Sequence, residues 1–398
     1  MFFSLFLVLH TNFPGEHTVR FNHTSSMQQP SWLRTSARLA VLILLWSNSS
    51  TGGRAGRTQQ ADAIFADLKS DHAPGAAVLV LEDGQAVFER GYGVTNLRTR
   101  DPIDAHANFR LASVTKQFTA MAVMLLVQDG KLTYETRLTN IFPDFPEYGR
   151  SITIRNLLHH TSGLPDYEDL MAPQDPNVPA GKMYQISDDE VLQLLKRQTS
   201  TKFAPGYRWR YSNSGYVVLG LLVQKVSGVP FGTFLHDRIF APLHMDHTIL
   251  YEKGKNEVSH RAYGHTKTPA GWQETDQSPT SATLGDGGVY SSVADLAKWD
   301  QALREHRLLS DSEMRAAVSP VNAPGVEGED GEPAEYGFGW FLNPYKGHAR
   351  MWHYGESMGF RTAIERFVAD KLTVVVLANR VDLNANELAL KVADVYLR

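Results

Sequence analysis

The sequence predicts an α+β protein: an antiparallel β-sheet flanked by helices, with an all-α lobe inserted between its two groups of strands. Three observations predict it. Strand-like runs lie at residues 76–81 and 85–90 near the start, and at 336–342, 362–368 and 372–378 near the end. The stretch between them, about 130–275, reads as helices and loops. Helical patterns bracket the whole, at about 60–70 and 386–397. Strands drawn from both chain ends, with helices segregated between them, give this architecture rather than alternating βαβ units.

Each element has a local reason. Asp83-Gly84 separates the first two strands, and Asp-Gly is a strong hairpin signal. Residues 111–128 form an apolar helix that Gly130 ends. Ser187 and Glu190 make a capping box that opens a helix running to Arg197. An apolar helix over 216–226 is stopped by Gly228 and Pro230. Asp370 and Lys371 turn the last strand pair.

The chain has 398 residues, 42% hydrophobic and 21% charged. That composition excludes a disordered tail protein, a collagen and a multi-span membrane protein. Lys plus Arg is 39 and Asp plus Glu is 43, a net charge of -4. No basic excess exists to grip nucleic acid phosphates. Cysteine is absent, which excludes disulfides, thiolate metal sites and cysteine nucleophiles.

Residues 1–58 read as a leader, a signal peptide and linker, before one folded domain at 59–398. Apolar runs at 5–9 and 39–46, the second preceded by Arg34 and Arg38, follow signal-peptide grammar. Both fall well short of the roughly 20 residues that span a bilayer, so no stable membrane span is expected. The leader implies an exported protein, periplasmic or secreted. Met27, upstream of the second run, is an alternative start; a mis-assigned start with a disordered leader would instead make the protein cytoplasmic.

Three short motifs carry chemistry. In Ser113-Val114-Thr115-Lys116, a serine and a lysine three apart at a helix start share one face. A serine hydroxyl attacks only when a neighbour takes its proton, and a desolvated lysine is able to do so. Tyr211-Ser212-Asn213 supplies a phenol, a base only if a cation stabilises its phenolate, and an amide able to donate to a substrate carbonyl. His353-Tyr354-Gly355, followed by Glu356, sits before a predicted strand whose edge offers backbone N–H groups. Gly355 permits close approach. Alone, each motif reads as ordinary loop or helix start.

Together, their order and spacing resemble the penicillin-recognising serine hydrolases: class C β-lactamases, D-alanyl-D-alanine carboxypeptidases, D-aminopeptidases and β-lactamase-like esterases. Two further stretches are similar to that family: Leu157-Leu158-His159-His160-Thr161-Ser162-Gly163-Leu164-Pro165, and Gly285-Asp286-Gly287-Gly288-Val289-Tyr290-Ser291-Ser292 with Asp295-Leu296. The resemblance runs from about Ala61 to Arg398 and implies a β-lactamase/transpeptidase-like fold. It implies Ser113 as the acylated nucleophile and Lys116 and Tyr211 as the shared acid/base pair. Asn213 would hold the acyl-side carbonyl, and the N–H groups of Ser113 and Glu356 would form the oxyanion hole. His353, with Tyr354 and Gly355, would line the substrate side, where β-lactamases of this group carry Lys-Thr-Gly. His159, Gly163 and Pro165 would shape the cleft wall.

Gly355-Glu356-Ser357-Met358-Gly359 also satisfies G-x-S-x-G, the nucleophile elbow of α/β-hydrolases. That fold needs a histidine after the serine, and none follows His353. No metal-ligand spacing and no phosphate-binding loop occurs, so neither metal nor cofactor is expected. Trp209, Tyr207, Tyr290 and Trp352 lie near the motifs as candidate cleft residues.

The leading reading is a serine hydrolase acting on a small ester or a D-alanyl-type peptide amide. A β-lactamase is an alternative that His353-Tyr354 disfavours. A non-catalytic penicillin-binding-like protein recognising peptidoglycan peptides is the alternative outside enzymes. A scaffold role would require Ser113 to be buried. The expected partner is a small-molecule or peptide substrate.

Overall fold

The computed structural model describes residues 54–172, 183–321 and 335–397. The leader expected over 1–58 lies, up to residue 53, outside the described residues.

Five strands form the main sheet: β1 (Ala76–Glu82), β2 (Gln85–Tyr92), β8 (Met351–Ser357), β9 (Phe360–Phe367) and β10 (Leu372–Ala378). Their order is β2-β1-β10-β9-β8, every pair antiparallel. β1 pairs with β10 from Ala76 opposite Ala378 to Glu82 opposite Leu372, which joins the two chain ends. The β1–β2 turn places Asp83 at φ 51° and Gly84 at φ 75°, the left-handed pair that a two-residue hairpin requires.

Alternation along β1 and β10 assigns two faces. Val78, Val80, Val374 and Val376 pack against Ala389, Val392 and Tyr396 of the C-terminal helix Ala385–Tyr396 and against Ala61 and Phe65. Ala77, Leu79, Val375 and Leu377 face the opposite way, into a core shared with Phe118 and Met121. The N-terminal helix occupies 54–64 with a short 3-10 turn Ala66–Leu68 after it, earlier than the expected 60–70.

The helix Lys116–Gln128 runs through the molecule's centre, buried at every position from Lys116 to Leu126. A helix apolar all round belongs inside. Its start differs from the continuous helix expected over 111–128. Ala112 takes φ 47°, and Ala112–Thr115 is a separate 3-10 turn.

Between the two groups of strands lie the helices Asp188–Lys196 and Asn213–Ser227 and several shorter ones. The Ser187 capping box is present, and Gly228 ends the second long helix at φ 79°. Short strands follow before residue 275: β4 (Ile249–Leu250), β5 (His265–Thr268) and β6 (Gly271–Glu274). β4 joins β3 (Phe109–Arg110) and β7 (Val289–Ser291) in a small sheet, and β5–β6 is a hairpin. Among the described residues no single helix is long and apolar enough to cross a membrane.

One strand expectation needs correction, and one strand was not expected. Residues 336–342 are not a strand but a tight turn. Tyr336 bridges Phe341, and the Gly337 N–H donates to the Trp340 carbonyl. Gly339, at φ 79°, lets the chain pass the backbone of Lys116: a Cβ there would lie 2.8 Å from the Lys116 carbonyl oxygen. The His353 motif does precede a strand, β9, but it is not a loop before it. It forms the middle of β8, the sheet's edge.

Candidate active site

Ser113 sits in the 3-10 turn that opens the central helix, half-buried rather than sealed. The scaffold reading, which required a buried Ser113, loses its basis. One helical turn on, Lys116 is fully buried. Its Nζ lies 3.0 Å from Ser113 Oγ, 2.8 Å from Asn213 Oδ1 and 2.9 Å from the carbonyl oxygen of Asp286. Three acceptors match the three protons of an ammonium. Burial pulls the lysine down to about 8, against the opposing pull of Asp286, Asp166 and Glu168. A neutral amine there keeps two of the three hydrogen bonds and turns its lone pair toward the serine proton.

Tyr211 lies beside this pair, with Lys116 Nζ 4.8 Å from its ring centroid. Burial raises the phenol well above its usual 10, and the Ser113 hydroxyl opposes that shift only partly. The phenolate that the sequence left open as a base is therefore disfavoured, and Tyr211 is a neutral phenol. His160 holds it in place. Its ring packs tilted against that of Tyr211 with centroids 4.4 Å apart, its Nδ1 accepts from the Ser212 N–H, and its carbonyl accepts from the Arg210 N–H.

Asn213 begins the helix Asn213–Ser227. Its backbone N–H donates to Asp166 Oδ2 at 2.6 Å, and its Nδ2 donates to Glu168 Oε1 at 3.1 Å. These two carboxylates were missed by the sequence reading. The available signal was the acidic run Asp166-Tyr167-Glu168-Asp169, directly after the recognised segment ending at Pro165. Burial raises the Asp166 carboxyl above its usual range.

The β8 strand completes the arrangement. A Cβ on Gly355 would fall 2.2 Å from the Leu111 carbonyl oxygen and 3.1 Å from the Ser113 nitrogen. Only glycine lets the strand pass this close, which brings the backbone next to Glu356 alongside the Ser113 amide. The Glu356 side chain points elsewhere, to Arg361 at 3.3 Å.

His353 is brought near but not into the open cleft. It is buried, with Nδ1 donating to the Tyr354 carbonyl at 2.6 Å and Nε2 accepting from the Tyr336 hydroxyl at 3.1 Å. Burial, and then the charge of Lys116, lower it to about 3. It is a neutral imidazole with both nitrogens engaged, and it presents no cation. His159, as expected, is structural: its Nδ1 donates to the Tyr336 carbonyl at 2.8 Å, and burial lowers it to about 4.

Of the four aromatic candidates, Tyr290 and Trp352 are core residues. Trp209 packs with Tyr211 and Tyr336, and Tyr207 is exposed. Ser357 ends β8 opposite Phe360 in a β-hairpin, not at a strand-to-helix elbow. Among the described residues no histidine, aspartate or glutamate group is arranged to hold a metal ion.

Comparison with known proteins agrees with this geometry. The Beta-lactamase family model matches residues 61–396. Penicillin-binding protein 4* of Bacillus subtilis is 32% identical over 338 residues, 81% of this chain and 72% of that protein. A D-aminopeptidase of Gluconobacter oxydans is 28% identical over 77% of this chain, which spans only 56% of that enzyme's length. An octameric penicillin-binding protein homologue from Pyrococcus abyssi superposes with TM-score 0.71 at 25% identity, covering 86% of this chain and 77% of its own. The D-amino acid amidase of Ochrobactrum anthropi SV3 shares the fold, with TM-score 0.71 at 24% identity over 85% of this chain and 98% of its own. A sheet built from both chain ends, a serine and a buried lysine opening the central helix, and a family match over nearly all of the described residues lead to one assignment: the chain belongs to the Beta-lactamase family of serine hydrolases.

Proposed function

We propose that the protein is a serine hydrolase of the S-x-x-K type that forms an acyl-enzyme on Ser113 and hydrolyses a small ester or a D-aminoacyl amide. The observation that carries this reading is Lys116: fully buried, lowered to about 8, and 3.0 Å from Ser113 Oγ. A general base works best when its pKa lies near the operating pH. Lys116 takes the serine proton as Oγ attacks the substrate carbonyl. Tyr211, a protonated phenol, relays a proton to the leaving group. The N–H groups of Ser113 and Glu356 receive the oxyanion, and Asn213 positions the acyl side. Water then releases the acid by the reverse proton path.

Charge supports esters and D-aminoacyl amides over β-lactams. His353 is neutral, so it offers no cation to a substrate carboxylate. On the Asn213 side stand Asp166 and Glu168, which suit an amine-bearing or neutral substrate.

Fluorophosphonate labelling and turnover of p-nitrophenyl esters, D-amino acid amides and a chromogenic cephalosporin test this. Ser113→Ala abolishes labelling and turnover, while Ser357→Ala keeps most of both. Equal loss in folded protein from either change would return the elbow serine to contention. A cephalosporin kcat/KM above that of every ester and amide would remove the substrate assignment.

A further inference from the structure

We propose that Thr362 is a positioning residue of the oxyanion site: one buried hydroxyl holds the turn carrying Ser113 and the strand carrying Glu356 at the spacing their two N–H groups need. The inference rests on the acyl-enzyme reading, because it concerns the groups that receive the oxyanion.

Neither of those N–H groups sits on a backbone that fixes itself. Ser113 follows Ala112, whose φ of 47° lies in the left-handed region. A residue with a Cβ is strained there and keeps that conformation only where its surroundings impose it. The Leu111 N–H donates to the Val289 carbonyl at 2.9 Å, and the Leu111 carbonyl closes the turn by accepting from the Val114 N–H at 3.2 Å. Glu356 lies on β8, the edge strand, which the sheet supports on one side only. The two segments pass close to each other. A Cβ on Gly355 would fall 2.2 Å from the Leu111 carbonyl oxygen, 2.4 Å from Thr362 Oγ1 and 3.1 Å from the Ser113 nitrogen.

Thr362 joins them. It lies on β9 opposite Gly355 and is 1% exposed. Its Oγ1 is 2.8 Å from the Leu111 carbonyl oxygen and 3.4 Å from the Gly355 carbonyl oxygen. One hydroxyl proton is thus shared between two carbonyls, one from each segment. The shorter contact anchors the turn two residues before Ser113. The longer one reaches the peptide unit that carries the Glu356 N–H. Among the described residues no peptide bond is cis. That N–H therefore points the opposite way from the Gly355 carbonyl, away from Thr362. The hydroxyl holds the peptide from behind and leaves its donor free. Sealed from the cleft, Thr362 acts through these two amides and touches no reacting atom. Donors fixed before the reaction are what make an oxyanion site effective.

The test is single-turnover acylation by an activated ester in full-length protein, with the saturating rate and the half-saturating concentration read separately. Thr362→Val keeps the branched shape and removes the shared proton. Its saturating rate falls by roughly 10²-fold, the size expected when a catalytic group is displaced by about 1 Å. Its half-saturating concentration stays near wild type, because the donors serve the oxyanion more than the ground-state carbonyl. Thr362→Ser keeps the hydroxyl and restores the rate. Inhibition by phenylboronic acid, whose adduct on Ser113 is tetrahedral, weakens in Thr362→Val by the same factor as the rate. Thr373→Val is the control. It removes another buried hydroxyl of the same sheet, one that donates to Asp300 Oδ1 at 2.8 Å, and it lowers the urea midpoint without changing acylation.

An unchanged saturating rate in Thr362→Val, an equal loss in Thr362→Ser, or a loss confined to the half-saturating concentration overturns the proposal. Where Thr362→Val does not fold, Thr362→Ala set against Thr362→Ser makes the same comparison without a methyl beside the Leu111 carbonyl. If Ser113→Ala retains turnover, the acyl-enzyme reading falls and the role of Thr362 falls with it. If Ser113 is essential and Thr362→Val acylates at the wild-type rate, the role of Thr362 falls alone.

Discussion

Behind β1 and β10 the interior is aliphatic: Val78, Val80, Val374 and Val376 meet Ala389 and Val392 of the C-terminal helix. Around Lys116, equal burial encloses a lysine, Asp286, His160, His353 and Ser212. The first region is held by area removed from water, which is tolerant of detail. The second is held by directional contacts among segments far apart in the chain, such as Lys116 to Asn213 and to Asp286. Each of those groups is costly if left unpaired. The sheet layer supplies stability, and it holds β8 and the central helix rigidly enough for the polar wedge to keep its distances.

The sharpest way to break this comparison is in the wedge. Lys116→Ala and Tyr211→Phe should each lower acylation by roughly 10²–10⁴, the usual worth of general acid–base catalysis. The double variant should be little worse than the poorer single one, because both act on the same proton. Fully multiplicative losses in a double-mutant cycle with an activated ester would show independent roles. The wild-type rate should rise with pH through about 8 as Lys116 loses its proton. Stability should follow the same direction. The unfolded lysine titrates near 10.5 and the folded one near 8, so between those values the unfolded state binds more protons. This group's contribution to stability therefore rises with pH across that window, and its burial cost is full below 8.

Next in size is the seam where the two regions meet. Gly355→Ala drives a methyl into the Leu111 carbonyl and displaces β8 from Ser113. Loss of one oxyanion donor costs about 10²–10³ in kcat, and the variant should show that loss with a cooperative unfolding transition retained. Normal turnover would remove β8 from the oxyanion site. In the sheet layer, Leu372→Ala should cost about 2–5 kcal/mol of stability, as large-to-small core changes do. In urea unfolding and rate assays it should leave the pH profile of acylation unchanged. A shifted acid limb would mean that the two regions are not separable.

The same difference explains what the sequence disclosed. β1, β2, β9 and β10 were legible because short strand-like apolar runs and the Asp83-Gly84 turn are local signals. Ser113, Lys116 and Tyr211 were legible as a spacing pattern, and the structure brings them together. Residues 336–342 look like a strand but fold as a turn, because Gly339 must pass the Lys116 backbone, a tertiary demand with no local trace. β8 was hidden because His353, Gly355 and Glu356 interrupt its apolar pattern for the sake of the site. The places of Asp166 and Glu168 at the site are set by contacts across the fold. The charge of Lys116 and the neutrality of His353 depend on burial, which spacing does not report.

The smallest expected effect distinguishes how each region caps its helices. Asn384 caps the C-terminal helix locally: its side chain accepts from the Glu387 N–H at 2.9 Å. The helix Asn213–Ser227 has no side-chain cap of its own from Ser212, and its first N–H donates instead to Asp166, 47 residues away. A lost cap costs about 0.5–2 kcal/mol in either case. Asn384→Ala should lower the urea midpoint accordingly and leave kcat and KM alone, because nothing at that end touches the site. Asp166→Ala should cost a similar amount in stability. It also frees the residue that presents its Oδ1 to Lys116, so acylation should fall as well, with the loss in kcat larger than the stability change accounts for. In the sheet layer a cap serves only its helix; in the wedge the same kind of hydrogen bond also fixes a functional amide. Equal kinetics for the two variants at matched stability would show that Asn213 is placed by the rest of its helix and that Asp166 serves only as a cap.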